Sequence, residues 1–418
     1  MNIVHIAVHL GGGAGKAIVG IAGAGDTIVL LEEPQKVYWL NVAKRKGIRV
    51  IIVPETTELE KLIKESDVIV MNWWGHPLML QIVPALANIC CRLVLYCHIN
   101  GCVYPYLPFS FLDEFDAIIF TTPFSYENPF WTDCQKEIIR EKSTVVYGMG
   151  DFEPEQLSPR YSYRKKNYFE VGYIGTIDYA KLNPDFVGYC EAAANQIDNI
   201  RFVLAGDIAN DVKKDIEKSR ISDKFEYVGY MDDVERFYKR IDVLGYLLNA
   251  YNFATTENVL LEAMAYATPI VALDQGVERY IIQDGYNGYL VNSFKEYAEI
   301  IFFLYSSEER QKELGEKARA HCIEKYSNTK NRTVYEDMLC KCMEMPKRAR
   351  GMNCLLGKSP FEWFLFFSQK DRGALKKYME HIFLQDAKGS VFQYLKYYPE
   401  NEELRELCEI LRGEREVR

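Results

Sequence analysis

The stretch from Thr255 to Ala272 carries the side chains whose types and spacing most clearly suggest a chemistry. Thr255 or Thr256 can cap a helix whose first turn holds Glu257, because a threonine hydroxyl accepts a hydrogen bond from a free first-turn amide. The remaining free amides and the positive end of the helix dipole can hold a phosphate. Glu262 follows about a turn and a half later, where its carboxylate can accept two hydrogen bonds from vicinal ribose hydroxyls. This pattern predicts a nucleotide-binding helix.

Three glycines, Gly11–Gly13, follow the first predicted strand and precede Lys16. A P-loop would need glycine where Leu10 stands and serine or threonine where Ala17 stands, so that motif is absent. A dinucleotide fingerprint fails as well, because Lys16 occupies its last glycine position. Glycines at a strand end nevertheless let the backbone approach a ligand, and the following helix N-terminus favours anions. We therefore predict a phosphate contact here, with a plain tight turn as the alternative.

Histidines and aromatic residues also follow predicted strands in the first third of the chain. His98 stands at the end of one such run, and His76 comes shortly after another. A lone histidine at a strand end is often structural, so a ligand contact and a structural role both stay open. Aromatic rings stack on sugar faces, although core packing is an equal alternative for each ring taken singly. The candidates for contact with a sugar acceptor are Trp73, Trp74, His76 and Tyr104.

Short, continuously apolar runs separated by helical stretches must position these side chains. Such runs are typical of parallel strands buried on both faces and joined by crossover helices. Two successive series predict two doubly wound α/β domains with a cleft between them. The first series comprises Asn2–Val8, Thr27–Leu31, Val50–Val53, Val68–Met71, Leu93–Cys97, Ala117–Phe120 and Thr144–Tyr147. The second comprises Phe169–Ile174, Arg201–Ala205, Phe225–Val228, Val243–Leu248, Pro269–Leu273 and Gly288–Val291.

Changes in composition predict the domain boundaries. The polar, proline-containing segment Asp151–Asn167 is typical of an interdomain linker, and it contains the basic cluster Arg164–Lys166. Residues 346–418 are rich in aromatic and charged residues and are predicted to be helical. Within them, the run Pro360–Phe367 is too short to span a membrane. A buried helix of a small bundle is the first interpretation, and a dimer interface or a membrane-contact surface is the alternative.

Charge and cysteine usage narrow the class of protein. The chain has 418 residues, a formal net charge of −9 and 11 cysteines. A negative balance argues against a dedicated nucleic-acid binder. The cysteine spacing contains no Cys-x-x-Cys pair, which disfavours a zinc ribbon, and free thiols fit a reducing cytoplasm. The first residues resemble a buried strand more than a signal peptide, so we expect a cytoplasmic protein.

The motif residues resemble those of the retaining glycosyltransferases of family 4, which have the GT-B fold. Glu262–Ala265 and Thr268–Ala272 match the family's donor-site helix and the strand that follows it. The resemblance implies that Glu262 binds the donor ribose. The family's first motif glutamate is replaced by Ala254, and Glu257 stands three residues later. The resemblance covers about residues 1–343 and does not extend to the C-terminal residues.

Further roles follow from the same resemblance. Lys181 has the spacing after Gly175–Thr176 of the family's diphosphate-binding lysine, while Thr176 replaces an arginine. His98 falls where the family places a histidine that contacts the donor sugar. The resemblance thus implies catalytic roles for His98 and Lys181, and Glu257 is the third catalytic candidate, as a substitute for the glutamate that Ala254 replaces. The donor-binding set that it implies, together with the glycine loop, is Gly12, Gly13, Gly175, Thr176, Lys181, Tyr230, Met231, Thr255, Thr256, Glu257, Asn258, Val259 and Glu262.

Taken together, these features predict a GT-B protein of the α/β class with two facing Rossmann-like domains. The expected division is an acceptor domain at 1–152, a donor domain at 153–324, a crossing helix at about 325–343 and a helical extension at 346–418. The expected reaction moves a sugar from a nucleoside diphosphate sugar, most commonly a UDP-sugar, to an acceptor hydroxyl with retention of configuration. No metal or other cofactor is expected.

Several points stay open at this stage. The acceptor is a lipid-linked saccharide, another glycan, a protein or a small molecule, in cell-surface glycan or other glycoconjugate synthesis. Peripheral contact with the inner face of the membrane and a homodimer formed through the extension are further expectations. The alternatives to a transferase are a nucleotide-sugar epimerase or hydrolase on the same fold and a non-catalytic sugar-nucleotide-binding scaffold. The replacements at Ala254 and Thr176 motivate the last of these.

Overall fold

The apolar runs form two parallel β-sheets in the computed structural model of the chain, which describes residues 1–148, 153–159, 167–231, 233–369 and 388–417. The basic cluster Arg164–Lys166 and most of the predicted linker lie outside the described residues. The chain divides into two compact units. Unit 1 consists of Met1–Asp151, Phe253–Thr256 and Asn328–Arg418, and unit 2 of Phe152–Asn252 and Glu257–Ser327.

The sheet of unit 1 has seven parallel strands in the order β3-β2-β1-β4-β5-β6-β7. Its central strands are buried along their whole length, as expected for a sheet covered by helices on both faces. The neighbours of β1 are β2 and β4, so the strand order reverses between β1 and β4. The strands are β1 Ile3–Ala7, β2 Thr27–Leu30, β3 Arg49–Ile52, β4 Val68–Trp73, β5 Leu93–Cys97, β6 Ala117–Phe120 and β7 Ser143–Val145.

The sheet of unit 2 has six parallel strands in the order β10-β9-β8-β11-β12-β13. Here β8 pairs with both β9 and β11, so the order reverses between β8 and β11. The strands are β8 Phe169–Ile174, β9 Ile200–Ala205, β10 Phe225–Gly229, β11 Val243–Tyr246, β12 Ile270–Leu273 and β13 Tyr289–Val291. Every strand predicted from the sequence is therefore confirmed, with small differences at the ends.

Helices connect the strands and follow the last of them. The helices up to the end of the first sheet are α1 Gly12–Ile21, α2 Tyr38–Arg45, α3 Thr56–Glu65, α4 Val83–Asn88, α5 Phe109–Asp113 and α6 Asp133–Glu141. Those of unit 2 are α7 Phe186–Ala194, α8 Asn210–Lys218, α9 Val234–Arg240, α10 Asn258–Ala265, α11 Glu278–Ile281, α12 Phe294–Tyr305 and α13 Glu308–Tyr326. The last are α14 Asn328–Met343, α15 Met352–Leu356, α16 Pro360–Ser368, α17 Val391–Tyr397 and α18 Glu402–Val417.

The C-terminal extension contributes directly to the core of unit 1. Helix α16 buries Phe361, Phe364 and Phe367 in the same cluster as residues of the first sheet. Phe367 lies 4.8 Å from Trp73 between ring centroids, and the backbone amide of Tyr106 donates to the Phe367 carbonyl. The aromatic run thus forms a buried helix, the first of the interpretations that its sequence allowed. Across the described parts of the chain, no helix combines the length and the apolar character needed to cross a bilayer.

Candidate functional site

The reversal of strand order between β8 and β11 marks one end of the second sheet as a binding position. In open α/β sheets, ligands bind outside the carboxyl ends of the strands, where the connections diverge to opposite sides. Gly175 follows β8 directly, and Tyr246 is the last residue of β11. Lys181 lies on the segment after Gly175, and Glu257 lies on the segment between β11 and α10. Lys181 and Glu257, which were predicted from two separate sequence motifs, are thereby brought to one edge of the sheet.

A buried carboxylate forms the centre of this group. The Lys181 Nζ lies 3.6 Å from Glu257 Oε2, and the two side chains are 24% and 3% exposed. The Tyr246 hydroxyl donates to the same carboxylate oxygen, and Asn252 Nδ2 donates to the other at 2.8 Å. The ammonium of Lys181 also lies 5.6 Å from the centroid of the Tyr246 ring. Glu257 is therefore held by one cation and two hydrogen-bond donors, as a buried charge requires.

Burial and the charge of Glu257 raise the pKa of two further ionisable side chains near it. Burial, followed by repulsion from Glu257, raises the pKa of Glu278 well above its ordinary value. Burial, with the Glu257 charge second, also raises the pKa of Tyr246. Both shifts disfavour the ionised form of these two side chains beside the Lys181–Glu257 pair. In the described residues, no group of three or more His, Cys, Asp or Glu side chains could hold a metal ion.

The start of α10 differs from the sequence prediction. The helix begins at Asn258, and Glu257 itself occupies the N-cap position with left-handed backbone angles, φ 46° and ψ 64°. The expected threonine cap is wrong: the Thr256 hydroxyl accepts from the Gly148 amide and donates to the Thr121 carbonyl instead. The left-handed turn directs Glu257 to the ion pair rather than into the first helical turn. The Oδ1 atom of Asn258 is buried at this N-terminus and has no hydrogen-bond partner among the described residues.

The loop after β8 approaches the neighbouring loop very closely. Gly175 has φ +141° and its amide donates to the Ala205 carbonyl. A Cβ atom added to Gly206 would lie 1.9 Å from the Gly175 carbonyl oxygen, so this packing requires glycine. Thr176 is exposed, and its carbonyl accepts a hydrogen bond of 2.8 Å from Tyr173. The structure therefore presents the Thr176 side chain to solvent beside the loop that carries Lys181.

The other predicted donor contacts lie further along unit 2. Glu262 is half-buried on α10, and its carboxylate accepts from the Tyr238 hydroxyl at 3.1 Å. Val259 is half-buried in the first turn of the same helix. Tyr230 is largely exposed and Met231 partly so, just beyond β10. The sequence reasoning gave no role to Tyr246, Asn252 or Glu278; an aromatic residue at the end of β11 was the available signal for Tyr246.

In unit 1, His98 follows β5 and is fixed by its neighbours. Its Nε2 lies 3.1 Å from Asn72 Oδ1, and its ring lies 4.4 Å from that of Tyr96. Desolvation, with smaller contributions from the charges of His5 and Lys388, lowers the pKa of His98 to about 3. The imidazole is therefore neutral at physiological pH and acts as a hydrogen-bonding group rather than as a cation. Gly12 and Gly13, also predicted to contact the donor, are exposed at the start of α1.

The four predicted acceptor contacts are all buried. Trp73 was expected to follow the strand predicted at Val68–Met71, but it is the last residue of β4, and its ring packs on Phe111 and Phe367. Tyr104 is buried as well, and its hydroxyl donates to the Gly389 carbonyl of the C-terminal extension. These environments favour core packing for both. Trp74 and His76 are likewise almost fully buried, at 3% exposure each, but they lie within a cluster of histidines.

Comparisons with known proteins agree with this architecture. Residues 160–321 match the family model described as glycosyl transferases group 1. That range includes the Lys181–Glu257 pair and Glu262. Spore coat protein SA of Bacillus subtilis (strain 168) is 34% identical over 90 residues, which are 21% of this chain. The match spans only 23% of the length of that relative.

Solved structures are similar over both units. Anabaena HepE in complex with UDP and glucose has a TM-score of 0.66 and 16% identity, over 81% of this chain and 99% of that one. A glycosyltransferase from Rickettsia africae ESF-5 has a TM-score of 0.62 and 16% identity, over 81% of this chain and 98% of that one. These likenesses show the fold: two Rossmann-like units of the GT-B type, with a helical C-terminal extension.

Proposed function

We propose that the chain is a retaining glycosyltransferase that transfers a sugar from a UDP-sugar to an acceptor hydroxyl in glycoconjugate synthesis. The observation that carries the proposal is the Lys181–Glu257 pair at the strand-order reversal of unit 2. The family match over this unit supports the reaction class. The UDP in the complexes of HepE supports a uridine donor. The resemblance to family 4 supports retention of configuration.

In this proposal, Lys181 binds the diphosphate of the donor. Departure of the nucleoside diphosphate is difficult because negative charge develops on its phosphate oxygens, and a positioned cation stabilises that charge. The N-terminus of α10 lies next to Glu257 and adds free amides and its dipole to the same task. Glu262 accepts hydrogen bonds from the ribose. Tyr230 and Met231, beyond β10, contact the base.

Glu257 takes the place of the family's first motif glutamate in this proposal. Ala254 cannot supply a carboxylate, and its carbonyl accepts a hydrogen bond from Asn100 Nδ2 at 2.9 Å. Glu257 instead brings a carboxylate within 3.6 Å of the Lys181 ammonium through its left-handed backbone turn. A carboxylate beside the diphosphate-binding cation can accept hydrogen bonds from sugar hydroxyls. When the donor binds, its phosphates share Lys181 with Glu257, which keeps the lysine in position.

The direct test is nucleotide binding by the protein and by its Lys181→Gln variant. A screen of nucleotide sugars by thermal unfolding identifies the donor, because a ligand that binds the folded state raises the melting temperature by mass action. We expect UDP-sugars to raise it selectively. Lys181→Gln should weaken UDP binding by about ten- to a hundredfold, since a hydrogen bond to a charged group contributes about 1.5–3 kcal/mol.

Lys213→Gln provides the matched control, because Lys213 is an exposed lysine of α8 in the same unit and pairs with Glu217 one turn along the helix. Its UDP affinity should equal that of the unmodified protein. Equal loss in both variants, or no stabilisation by any nucleotide sugar, would overturn the proposal. Donor binding without sugar transfer to any component of a cell extract would favour the scaffold alternative. Proton NMR of the product anomer decides whether configuration is retained.

A further inference from the structure

The strand-order reversal of the first sheet, between β1 and β4, carries a cluster of its own. His9 follows β1, and Trp74 and His76 follow β4. The His9 and Trp74 rings lie 5.2 Å apart, and the Trp74 and His98 rings 6.1 Å apart, between centroids. His76 lies 6.3 Å from His9. Three imidazoles therefore surround one indole at the position where an open α/β sheet binds its ligand.

Two of these imidazoles have a defined tautomer. His9 Nδ1 accepts from the Gly11 amide at 3.0 Å, and His76 Nδ1 accepts from the Leu78 amide at 3.2 Å. A neutral imidazole that accepts at Nδ1 carries its proton on Nε2, so each ring presents an Nε2–H donor. The indole N–H of Trp74 is a further donor; it is buried and has no hydrogen-bond partner among the described residues. The cluster thus concentrates donors without concentrating positive charge.

The C-terminal extension brings the positive charge. Lys388 precedes Gly389, whose backbone packs on Gly75 and whose carbonyl accepts from the Tyr104 hydroxyl. This anchors the exposed Lys388 close enough to His9, His76 and His98 for its charge to contribute to lowering all three of their pKa values. Desolvation is the larger cause in each case.

Helix α17 also contacts the histidine cluster. The Tyr397 ring lies 4.7 Å from that of His76, and its hydroxyl donates to Glu32 at 2.9 Å. Glu32 Oε1 lies 4.0 Å from His9 Nε2, and the Tyr397 hydrogen bond ties Glu32 to the extension. The first turn of the adjacent α1 contains no acidic residue, so its free amides and dipole also favour an anion.

We propose that this surface, the histidine–lysine surface formed by His9, Trp74, His76, His98, Lys388 and Tyr397, binds a phosphate group of a substrate. Lys388 supplies the cation, and the Nε2–H groups of His9 and His76 and the indole N–H of Trp74 supply oriented donors, while His98 lies beside them with its Nε2–H on Asn72. The extension is then a determinant of substrate specificity as well as a structural part of unit 1. The inference rests on the proposed function for the identity of the reaction. The phosphate belongs either to the donor or to a phosphate-bearing acceptor.

The test observes the imidazoles directly. The chain has six histidines, so a protein labelled with ¹⁵N-histidine gives few imidazole signals, and single-histidine variants assign them. UDP represents the donor phosphate, glucose 1-phosphate represents a phosphate-bearing acceptor, and uridine and glucose are the matched probes without phosphate. We expect saturable shifts of the His9, His76 and His98 signals with UDP or with glucose 1-phosphate, and none with uridine or glucose. The probe that produces the shifts identifies the source of the phosphate.

Lys388→Gln should weaken binding of that probe by about tenfold, as the loss of a charge-assisted contact implies. Lys358→Gln, which changes an exposed lysine of the same extension, should leave it unchanged. Equal behaviour of the two variants overturns the inference, and so does the absence of shifts with both phosphate probes. The proposed function fails separately, when Lys181→Gln retains full UDP affinity; the imidazole shifts do not depend on that result.

Discussion

In the proposed function, Glu257 takes the place of a motif glutamate whose position holds Ala254 in this sequence. A carboxylate on a side chain that is 3% exposed is costly unless cations and donors surround it. Here Lys181, Tyr246 and Asn252 provide them, and the left-handed backbone brings the side chain to them. The left-handed region is uncommon for a residue other than glycine, and such local strain often accompanies functional sites. The spacing of the sequence alone could not reveal this substitution.

The buried imidazole of His76 predicts that the stability of the fold decreases at low pH. Burial, followed by the charges of His9, Lys388 and Lys396, lowers the pKa of His76 to about 3. In the unfolded chain the same group titrates near 6.5, so between these values the unfolded state binds the additional proton. Stability conferred by neutral His76 is therefore complete above about pH 6.5 and decreases as the pH falls. At pH 5 the loss is about 2 kcal/mol from this residue.

The His76→Asn variant isolates this contribution. An asparagine carbonyl can accept from the Leu78 amide as Nδ1 does, but it does not titrate. All five tryptophans lie in unit 1, so tryptophan fluorescence during urea unfolding follows that unit. We expect the variant to lose less stability than the unmodified protein between pH 7 and pH 5. Identical pH profiles would show that His76 gains its proton without cost in the folded state.

At the scale of elements, the strands were predictable because each buried strand is a continuous apolar run. Tertiary burial on both faces imposes that pattern, and the run of Leu93–Cys97 coincides with β5 at both ends. The start of α10 was not predictable in the same way. Threonine has a general preference for N-cap positions, but the contacts of Thr256 with Gly148 and Thr121 outweigh it. Such contacts join residues more than a hundred positions apart, which a local pattern does not contain.

The burial of the predicted acceptor contacts also depends on residues that are distant in the sequence. Trp73 and Tyr104 carry the chemistry expected of sugar-stacking residues, and only their surroundings distinguish that role from core packing. Residues of the extension form part of these surroundings: Phe367 covers Trp73, and the Gly389 carbonyl accepts from the Tyr104 hydroxyl. The family resemblance ends before residue 346, so it offered no reason to place the extension on these rings. Lys181 and Glu257, by contrast, were predicted as site residues, and the structure places Lys181 Nζ 3.6 Å from Glu257 Oε2.

Helix α1 requires glycine at one interior position, Gly15, because the helix lies close to the backbone of Leu10 there. A Cβ atom at Gly15 would lie 2.4 Å from the Leu10 carbonyl oxygen. Gly15→Ala must therefore displace the helix from the end of β1, and we expect unit 1 to lose about 1–3 kcal/mol of stability. Urea unfolding followed by tryptophan fluorescence measures the change.

Gly413 is the matched helical control. A Cβ atom there meets nothing within 4 Å, and alanine is favoured over glycine in a helix by about 1 kcal/mol. Gly413→Ala should thus leave the stability of unit 1 unchanged or slightly increased. If Gly15→Ala and Gly413→Ala unfold at the same urea concentration, the close contact between α1 and Leu10 does not limit substitution.

At the scale of the whole molecule, the C-terminal extension belongs to the first unit rather than forming a unit of its own. Its residues share one apolar cluster with β4 and β5, and they frame the histidine–lysine surface. A buried ionic contact fixes the start of the extension. Arg350, whose side chain is fully buried, donates to the carboxylate of Asp116 and to the carbonyls of Glu114 and Cys91. Substitutions at this contact therefore test whether the extension stabilises unit 1.

Arg350→Met removes the cation while keeping most of the side-chain volume. Asp116 and the carbonyls then lose donors in a buried environment, where breaking one partner of an ion pair costs about 3–5 kcal/mol. Arg348→Met is the comparison: Arg348 binds the same carboxylate at 2.8 Å, but its side chain is 46% exposed, so its loss should cost about 1 kcal/mol or less. We expect the tryptophan transition of Arg350→Met at a clearly lower urea concentration than that of Arg348→Met. Equal transitions would mean that the aromatic contacts of α16, not the buried arginine, hold the extension on unit 1.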